Sequence, residues 1–247
     1  MRTTLDAARP LNEAVRARLV EAIAEEEWRP GEAIPTEHEL GRLFGVAIGT
    51  VRKAVDALVA SGVLVRRQGS GTYVTAHDGR RLLFHFFHIV PREAEKAYPE
   101  VRTLSFARSR AEPAEAKALG VAPLEKVIRI RNVLSIGGEA VIVDDIVLPA
   151  LHFPGLSERI FVARDNTIYH LYQSRFGINV VGTDERLRAV TAPADVAAIL
   201  GVAPGAPLLE IRRVAHTFRE RPVELRFSRV NTARHDYHNT LGKGAPS

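Results

Sequence analysis

The chain has 247 residues, enough for one large or two ordinary domains, and 46% of them are hydrophobic, so a packed core is expected rather than disorder. Cys is absent, which excludes disulfides and thiolate metal sites and points to a reducing, cytoplasmic compartment. The formal net charge is +5, the opening MRTTLDAARPLNEAVRARLVEA lacks a signal-peptide apolar block, and no stretch approaches the roughly 20 apolar residues of a membrane span.

The charge is sorted along the chain. Residues 1–46 carry six Lys/Arg and nine Asp/Glu, whereas 47–76 carry Arg52, Lys53, Arg66 and Arg67 against Asp56 alone. Such placement matters more to a polyanionic partner than the overall sum. Leu11, Val15, Leu19, Ala22 and Ile23 recur at helical spacing and predict an amphipathic helix over 11–27, ended by Arg29-Pro30-Gly31. Thr36 followed by Glu39 is a capping-box pattern, in which two side chains satisfy free amides at a helix start. A short helix to about Phe44 and a tight turn at Gly45 follow. Residues 47–60 then read as a helix with Val51, Ala54, Val55, Leu58 and Val59 on one side. The other side presents Ile48, Gly49, Thr50, Arg52, Lys53 and Asp56.

Two helices joined by a short Gly-containing turn make a helix-turn-helix, whose second helix fits the major groove of DNA. Residues 63–67 and 72–75 read as paired strands around Gln68, Gly69, Ser70 and Gly71, where glycine lets the backbone approach a phosphate. Taken singly, an exposed Arg-Lys pair is usually a solvated face, and Gly-x-Gly between strands is usually a turn. Their succession points to a recognition helix followed by a wing.

The stretch RPGEAIPTEHELGRLFGVAIGTVRKAVDALVASGVLVRRQGSGTYV resembles the winged helix of the GntR family of bacterial transcription regulators. Pro-Gly, Pro-Thr-Glu-x-Glu-Leu, Gly-Val, Thr-Val-Arg-x-Ala and Gly-x-Gly-Thr-Tyr-Val stand in the family's order, and the resemblance covers 11–75. It implies DNA contact by Arg52 and by Gly69 or Gly71, within an interface of Thr36, His38, Ile48, Gly49, Thr50, Lys53, Arg67, Ser70 and Thr72. The family commonly has Arg at the place of His38 and Ser-Arg at that of Ala47-Ile48. Losing two guanidiniums removes two bidentate contacts, so an altered operator is expected; a His38–phosphate contact would strengthen as pH falls.

Residues 77–83, HDGRRLL, read as a linker, which gives a DNA-binding domain over 1–76 and a second domain over 84–247. In the latter, AKALGVAPLEKVIRIRNV (116–133) matches AAILGVAPGAPLLEIRRV (197–214) at an offset of 81. Each copy reads as a short helix, a Leu-Gly-Val-Ala-Pro turn and a β-rich run, followed by a further turn and strand. Two such helix-hairpin units predict an α+β domain built around an antiparallel sheet. Between the copies, 166–177 reads as a helix stopped at Gly177.

This arrangement resembles the UTRA effector domain of HutC-type GntR regulators over about 84–240, a fold similar to that of the enzyme chorismate lyase. The resemblance rests on Arg-x-Arg, the strand ending Leu148-Pro149, Thr-Ile-Tyr, Phe-Gly-Ile, Leu-Gly-Val, Pro-Leu-Leu and Arg-Pro-Val-Glu. Arg129 and Arg131, at i and i+2 of a strand, share a face and suit a carboxylate or phosphate; the alternative is that both are solvated. The resemblance favours a pocket and implies effector-binding roles for Asp144, Thr167, Tyr169, Glu224, Phe87 and His88 as well. Asp144 stands where the family usually has Glu, and Val230 where sugar-phosphate sensors carry an aromatic. An organic acid is therefore as good an expectation as a phosphosugar.

His85 and His88, like His235 and His238, have the spacing of a helical metal pair, but the first two lie in a strand-like run where i and i+3 diverge, so neither metal nor cofactor is expected. No Gly-x-Ser-x-Gly nucleophile turn or P-loop occurs. The expectation is a cytoplasmic homodimer that binds an inverted-repeat operator in double-stranded DNA and answers to a small anionic metabolite. The alternative is an enzyme of lyase-like fold acting on a small carboxylate through Arg129, Arg131 and Glu224.

Overall fold

The computed structural model describes residues 10–25, 27–60, 62–75, 87–93, 99–164 and 167–239. They fall into two compact units, one over 10–75 and one over 87–239. The expected linker, 77–83, lies outside the described residues.

In the first unit, α1 (Leu11–Ala24), α2 (Glu37–Phe44) and α3 (Ile48–Ala60) precede a hairpin of β1 (Leu64–Arg67) and β2 (Gly71–Val74). The first helix ends at Ala24 rather than 27, where the Glu27 amide reaches back to the Ala22 carbonyl in a wide closing turn. Thr36 opens α2 as a full capping box: the Glu39 amide donates to the Thr36 hydroxyl at 3.3 Å, and the Thr36 amide donates to the Glu39 carboxylate at 2.8 Å. Gly45 ends α2 at φ 66°, a conformation that a Cβ penalises. Val51, Ala54, Val55 and Leu58 of α3 are buried, as are Val15, Leu19 and Ala22 of α1. Each large apolar side chain so buried contributes about 1.5–3 kcal/mol. Residues 31–34 run beside β2 through an isolated bridge of Ala33 with Tyr73, the Ile34 amide donating to the Thr72 carbonyl at 2.8 Å.

The second unit opens with β3 (Ile89–Pro91), followed by β4 (Glu100–Arg110), α4 (Pro113–Leu119), β5 (Lys126–Ile136) and β6 (Glu139–Pro149). An insert carries α5 (Glu158–Val162) and α6 (Ile168–Phe176). The pattern then repeats as β7 (Gly182–Thr191), α7 (Ala194–Leu200), β8 (Pro207–Thr217) and β9 (Arg221–Val230), before β10 (His235–Tyr237). The six long strands form one antiparallel sheet in the order β4-β5-β6-β9-β8-β7, so the last strands of the two copies meet at its centre. Gly120 and Gly201 close the two matching helices at φ 62° and 65°. Even the irregularities repeat: the β5–β6 register shifts between Leu134 and Ser135, and the β8–β9 register between Ala215 and His216, 81 residues on.

The repeating unit is thus β-α-β-β, one strand longer than the helix-hairpin unit expected from sequence. The added strands, β4 and β7, are sheet edges whose side chains are largely exposed, so little hydrophobic alternation marks them. One sheet face is covered by α4 over Val127, Val147, Val214 and Leu225, and by α7 over Val143 and Leu208. On the opposite face, the insert covers Ile128, Ile130, Ile146 and Leu148 with Phe153, Phe161 and Tyr172. Ile89 and Tyr237, from the paired strands β3 and β10, cover Leu134, Ile142, Ile211 and Val230 on the same face.

Candidate DNA interface and effector pocket

On α3, Gly49, Arg52 and Lys53 are exposed, while Ile48 and Thr50 are half-buried at its start. Arg52 Nε donates to Glu37 Oε2 at 2.8 Å, and Arg66 Nη2 donates to the other oxygen of the same carboxylate at 2.8 Å. Arg66 also meets Asp56 at 2.5 Å. Glu37, the first residue of α2, therefore holds one guanidinium from α3 and one from β1. The hydrogen bond that Arg52 donates to Glu37, and then the Glu37 charge, raise the pKa of Arg52. The positive patch expected over 47–76 is partly neutralised in place, with Arg66 between two carboxylates. Sequence reading passed over Glu37, although an acid at the start of a capped helix facing a basic helix was there to be seen.

The wing tip needs glycine at both ends, Gly69 at φ 70° and Gly71 at φ 118°. Between them, Ser70 Oγ and Tyr73 Oη share a hydrogen bond at 2.6 Å, and the Arg67 guanidinium lies 4.4 Å over the Tyr73 ring. Thr72 is half-buried beside the tip, and its carbonyl is used by Ile34. The Thr36 hydroxyl is committed to the Glu39 carboxylate at 2.8 Å, so its work is the helix cap, while His38 is exposed in the first turn of α2.

In the second unit the structure brings Asp144, Tyr169 and Glu224 together beneath the insert. Glu224 is fully buried and accepts from Tyr169 Oη at 3.2 Å, Tyr172 Oη at 2.7 Å, and Arg226 Nε and Nη2 at 3.0 and 2.9 Å. Arg226 Nη1 donates to Asp144 Oδ2 at 3.2 Å, and the Ser228 hydroxyl donates to Asp144 Oδ1. Burial pushes the Asp144 carboxyl up, against the pull of Arg226 and Ser228. Burial and then the Glu224 charge push Tyr169 up to about 12 and hold Tyr172 well above the usual phenol value. Both phenols therefore remain donors at neutral pH. Thr167 caps α6, its hydroxyl accepting from the His170 amide at 3.1 Å, and so sets the helix that delivers both tyrosines.

Arg129 and Arg131 share a face as expected, but it is the other face of the sheet. Arg129 donates to Glu115 of α4 at 2.6 and 2.8 Å, and Arg131 to Asp145 and to Asp195 of α7 at 2.6 and 2.7 Å. The reason is strand parity: Asp144 and Asp145 point to opposite faces, and the arginines side with Asp145. The β5 residues on the tyrosine side are Ile128, Ile130, Asn132 and Leu134. Phe87 packs with the Ile89 cluster, and His88 lies against Tyr237 with ring centroids 5.1 Å apart. Tyr237 donates to Glu185, which pairs with Arg213, and Arg213 is hydrogen-bonded to Tyr169. His88 thus stands at the Glu185 end of this chain of contacts. Arg213, Arg226, Tyr172, Ser228, Asn132 and Arg164 were not singled out from sequence. Arg226 and Tyr172 were legible, as the i+2 strand neighbour of Glu224 and the i+3 helix neighbour of Tyr169.

Two known families match the chain, the UTRA domain over residues 94–236 and "Bacterial regulatory proteins, gntR family" over 11–74. The chain belongs to the GntR family, in its UTRA-bearing, HutC-type branch. It is 31% identical over 224 residues to the "Probable fructoselysine utilization operon transcriptional repressor" of Escherichia coli (strain K12), covering 88% of this chain and 89% of that protein. It is 29% identical over 205 residues to the histidine utilization repressor of Klebsiella aerogenes, covering 83% of each. Among solved structures, a ligand-binding domain assigned to the GntR family from Bordetella bronchiseptica is 37% identical with a TM-score of 0.60, covering 63% of this chain and 97% of that one. PhnF from Mycobacterium smegmatis is 25% identical with a TM-score of 0.55, covering 93% and 100%. This GntR member is a ligand-responsive, DNA-binding transcription regulator, and the enzyme alternative is set aside because its relatives are repressors. Among the described residues, no helix is long and apolar enough to cross a membrane, and no three His, Cys, Asp or Glu gather as metal ligands.

Proposed function

We propose that the chain acts in the cytoplasm as a homodimeric repressor. Each protomer lays the Thr50, Arg52 and Lys53 side of α3 on one half of an inverted-repeat operator, with the Gly69–Gly71 tip at the flanking backbone. A small anionic metabolite enters the cluster of Asp144, Tyr169, Glu224 and Arg226 and weakens operator binding. It does so through its different affinities for the two arrangements of the dimer, a coupling of about 1–3 kcal/mol in typical cases.

The observation that supports an anion is Arg164. Its half-buried guanidinium donates to the Phe161 carbonyl, lies 4.3 Å over the Phe161 ring, and meets no carboxylate among the described residues. Burial presses its pKa down, and Arg226 adds to that against the upward pull of Tyr172. A ligand carboxylate or phosphate there would offset an uncompensated charge. The test is a thermal-shift screen of small acids, followed by addition of each stabilising acid to the protein–operator complex. The acid should release the operator from wild type but not from Arg164→Leu; equal binding to both proteins would overturn the anion reading. Light scattering at the mass of a single 27.2 kDa chain would overturn the dimer.

A further inference from the structure

Asn132 stands on β5 between Ile130 and Leu134, which belong to the two apolar clusters of the insert-covered face. It is fully buried, and among the described residues neither its Nδ2 nor its Oδ1 has a hydrogen-bond partner. Its ladder neighbours are Thr103 on β4 and Asp144 on β6. Its charged neighbour is already engaged: Asp144 accepts from Ser228 and Arg226, and Arg226 also donates to Glu224, which two tyrosines close off. The Asn132 amide stays open beside Asp144. Buried amides are almost always bonded, because an unmade hydrogen bond costs the full desolvation of the group.

We propose that Asn132 is a specificity-determining residue of the effector pocket, and that the ligand group it meets is a neutral donor–acceptor pair, a hydroxyl or a primary carboxamide. This rests on the reading above that the small molecule enters this cluster. A carboxamide side chain offers one acceptor and two N–H donors in a single plane. A carboxylate or phosphate only accepts, so it would satisfy Nδ2 while pressing negative charge towards Oδ1 in a site away from water. An ammonium does the reverse. A hydroxyl or carboxamide both gives and accepts, and closes both atoms. The acidic group therefore sits elsewhere on the ligand, towards Arg164, and the effector is a hydroxy acid or an amide-bearing acid. Sites that hydrogen-bond a ligand in this way reject the analogue lacking the group far more strongly than they reject a change of one methylene.

The experiment uses the full chain as wild type, Asn132→Val and Asn132→Ala. Without ligand, Asn132→Val should melt at or above the wild-type temperature, since no hydrogen bond is lost, and Asn132→Ala controls for the added methyl group. A drop of several degrees in both variants would show that the amide is structurally bonded and overturn the proposal. Thermal-shift titrations then use two matched trios: L-glutamine, L-glutamate and L-norvaline; 4-hydroxybutyrate, succinate and butyrate. Within each trio the acid group is kept, and the far group changes from neutral donor–acceptor to anion to methyl. The amide or hydroxyl member should bind wild type about tenfold or more tighter than its companions, and lose that preference in Asn132→Val. Preference for glutamate or succinate, or a preference undiminished in Asn132→Val, would overturn the proposal. If no probe binds, the melting comparison decides: Asn132→Val level with or above wild type supports it, and Asn132→Val several degrees below wild type overturns it. A probe whose preference depends on Asn132 but not on Arg164, tested in Arg164→Leu, would count against the acid-group reading alone.

Discussion

Glu37 binds Arg52 and Arg66 at once, one carboxylate oxygen each, both at 2.8 Å. One side chain at the start of α2 thereby orients a guanidinium of the proposed recognition helix and another at the base of the wing. Before DNA arrives, Arg52 is held in one direction and its charge is partly screened.

Arg52→Ala should weaken operator binding by about 1–3 kcal/mol. Glu37→Gln keeps the shape but loses the charge that aims both arginines, so it should raise affinity for random DNA and narrow the operator preference. Fluorescence anisotropy with operator and scrambled duplexes checks both; an unchanged ratio in Glu37→Gln would remove Glu37 from any orienting role.

Phosphate anchoring makes affinity depend on salt. Raising salt from about 50 to 200 mM should weaken operator binding steeply, and Lys53→Ala should lower the slope of log affinity against log salt by about 1. A flat salt response would contradict docking through Lys53 and the wing.

Arg226 is the counter-ion of two buried carboxylates, whereas Arg129 and Arg131 are each about a third exposed on the other face. Arg226→Ala should destabilise the second unit by about 3–5 kcal/mol in urea unfolding. Arg129→Ala should cost only about 1 kcal/mol and leave the effector response in place. Loss of that response in Arg129→Ala, with stability retained, would bring the helix-covered face back into the site.

Hydrogen bonds from the Thr36 amide, and then from its hydroxyl, hold the Glu39 carboxyl below its ordinary 4.5. The stability gained from this cap is therefore complete above pH 4.5 and is lost as pH falls through the lowered value. Unfolding of the winged unit followed from pH 6 to pH 3 should show this slope, and Glu39→Gln should flatten it.

Much of the fold was legible because its signals are local. The Thr36–Glu39 box, the Gly45 turn, the stripe from Val51 to Leu58 and the repeated Leu-Gly-Val-Ala-Pro turn each declare an element within a few residues. The candidate effector site was legible only in part. Asp144, Tyr169 and Glu224 came with the family resemblance, and the structure brings them together. The i, i+2 spacing gives Arg129 and Arg131 a shared face, and the family resemblance favoured the pocket for them, but neither fixes which side of the sheet that face is. That choice is set by β5 pairing with β6 and by the two helices above Asp145, which lie outside any short window. Among the described residues Arg164 meets no carboxylate and Asn132 no hydrogen-bond partner, and a missing partner leaves no trace in sequence.

The doubled β-α-β-β unit has a consequence for symmetry. Asn132 and Arg213 are matching positions of the two copies, and their ladder partners are Asp144 and Arg226, which attract each other at 3.2 Å across the central strands. Two separate, identical half-length chains assembled about the same axis would have to bring aspartate to aspartate or arginine to arginine at that seam. Joining the halves in one polypeptide frees the two equivalent positions to carry opposite signs, so the seam can be closed by a charge pair that exact two-fold symmetry would forbid.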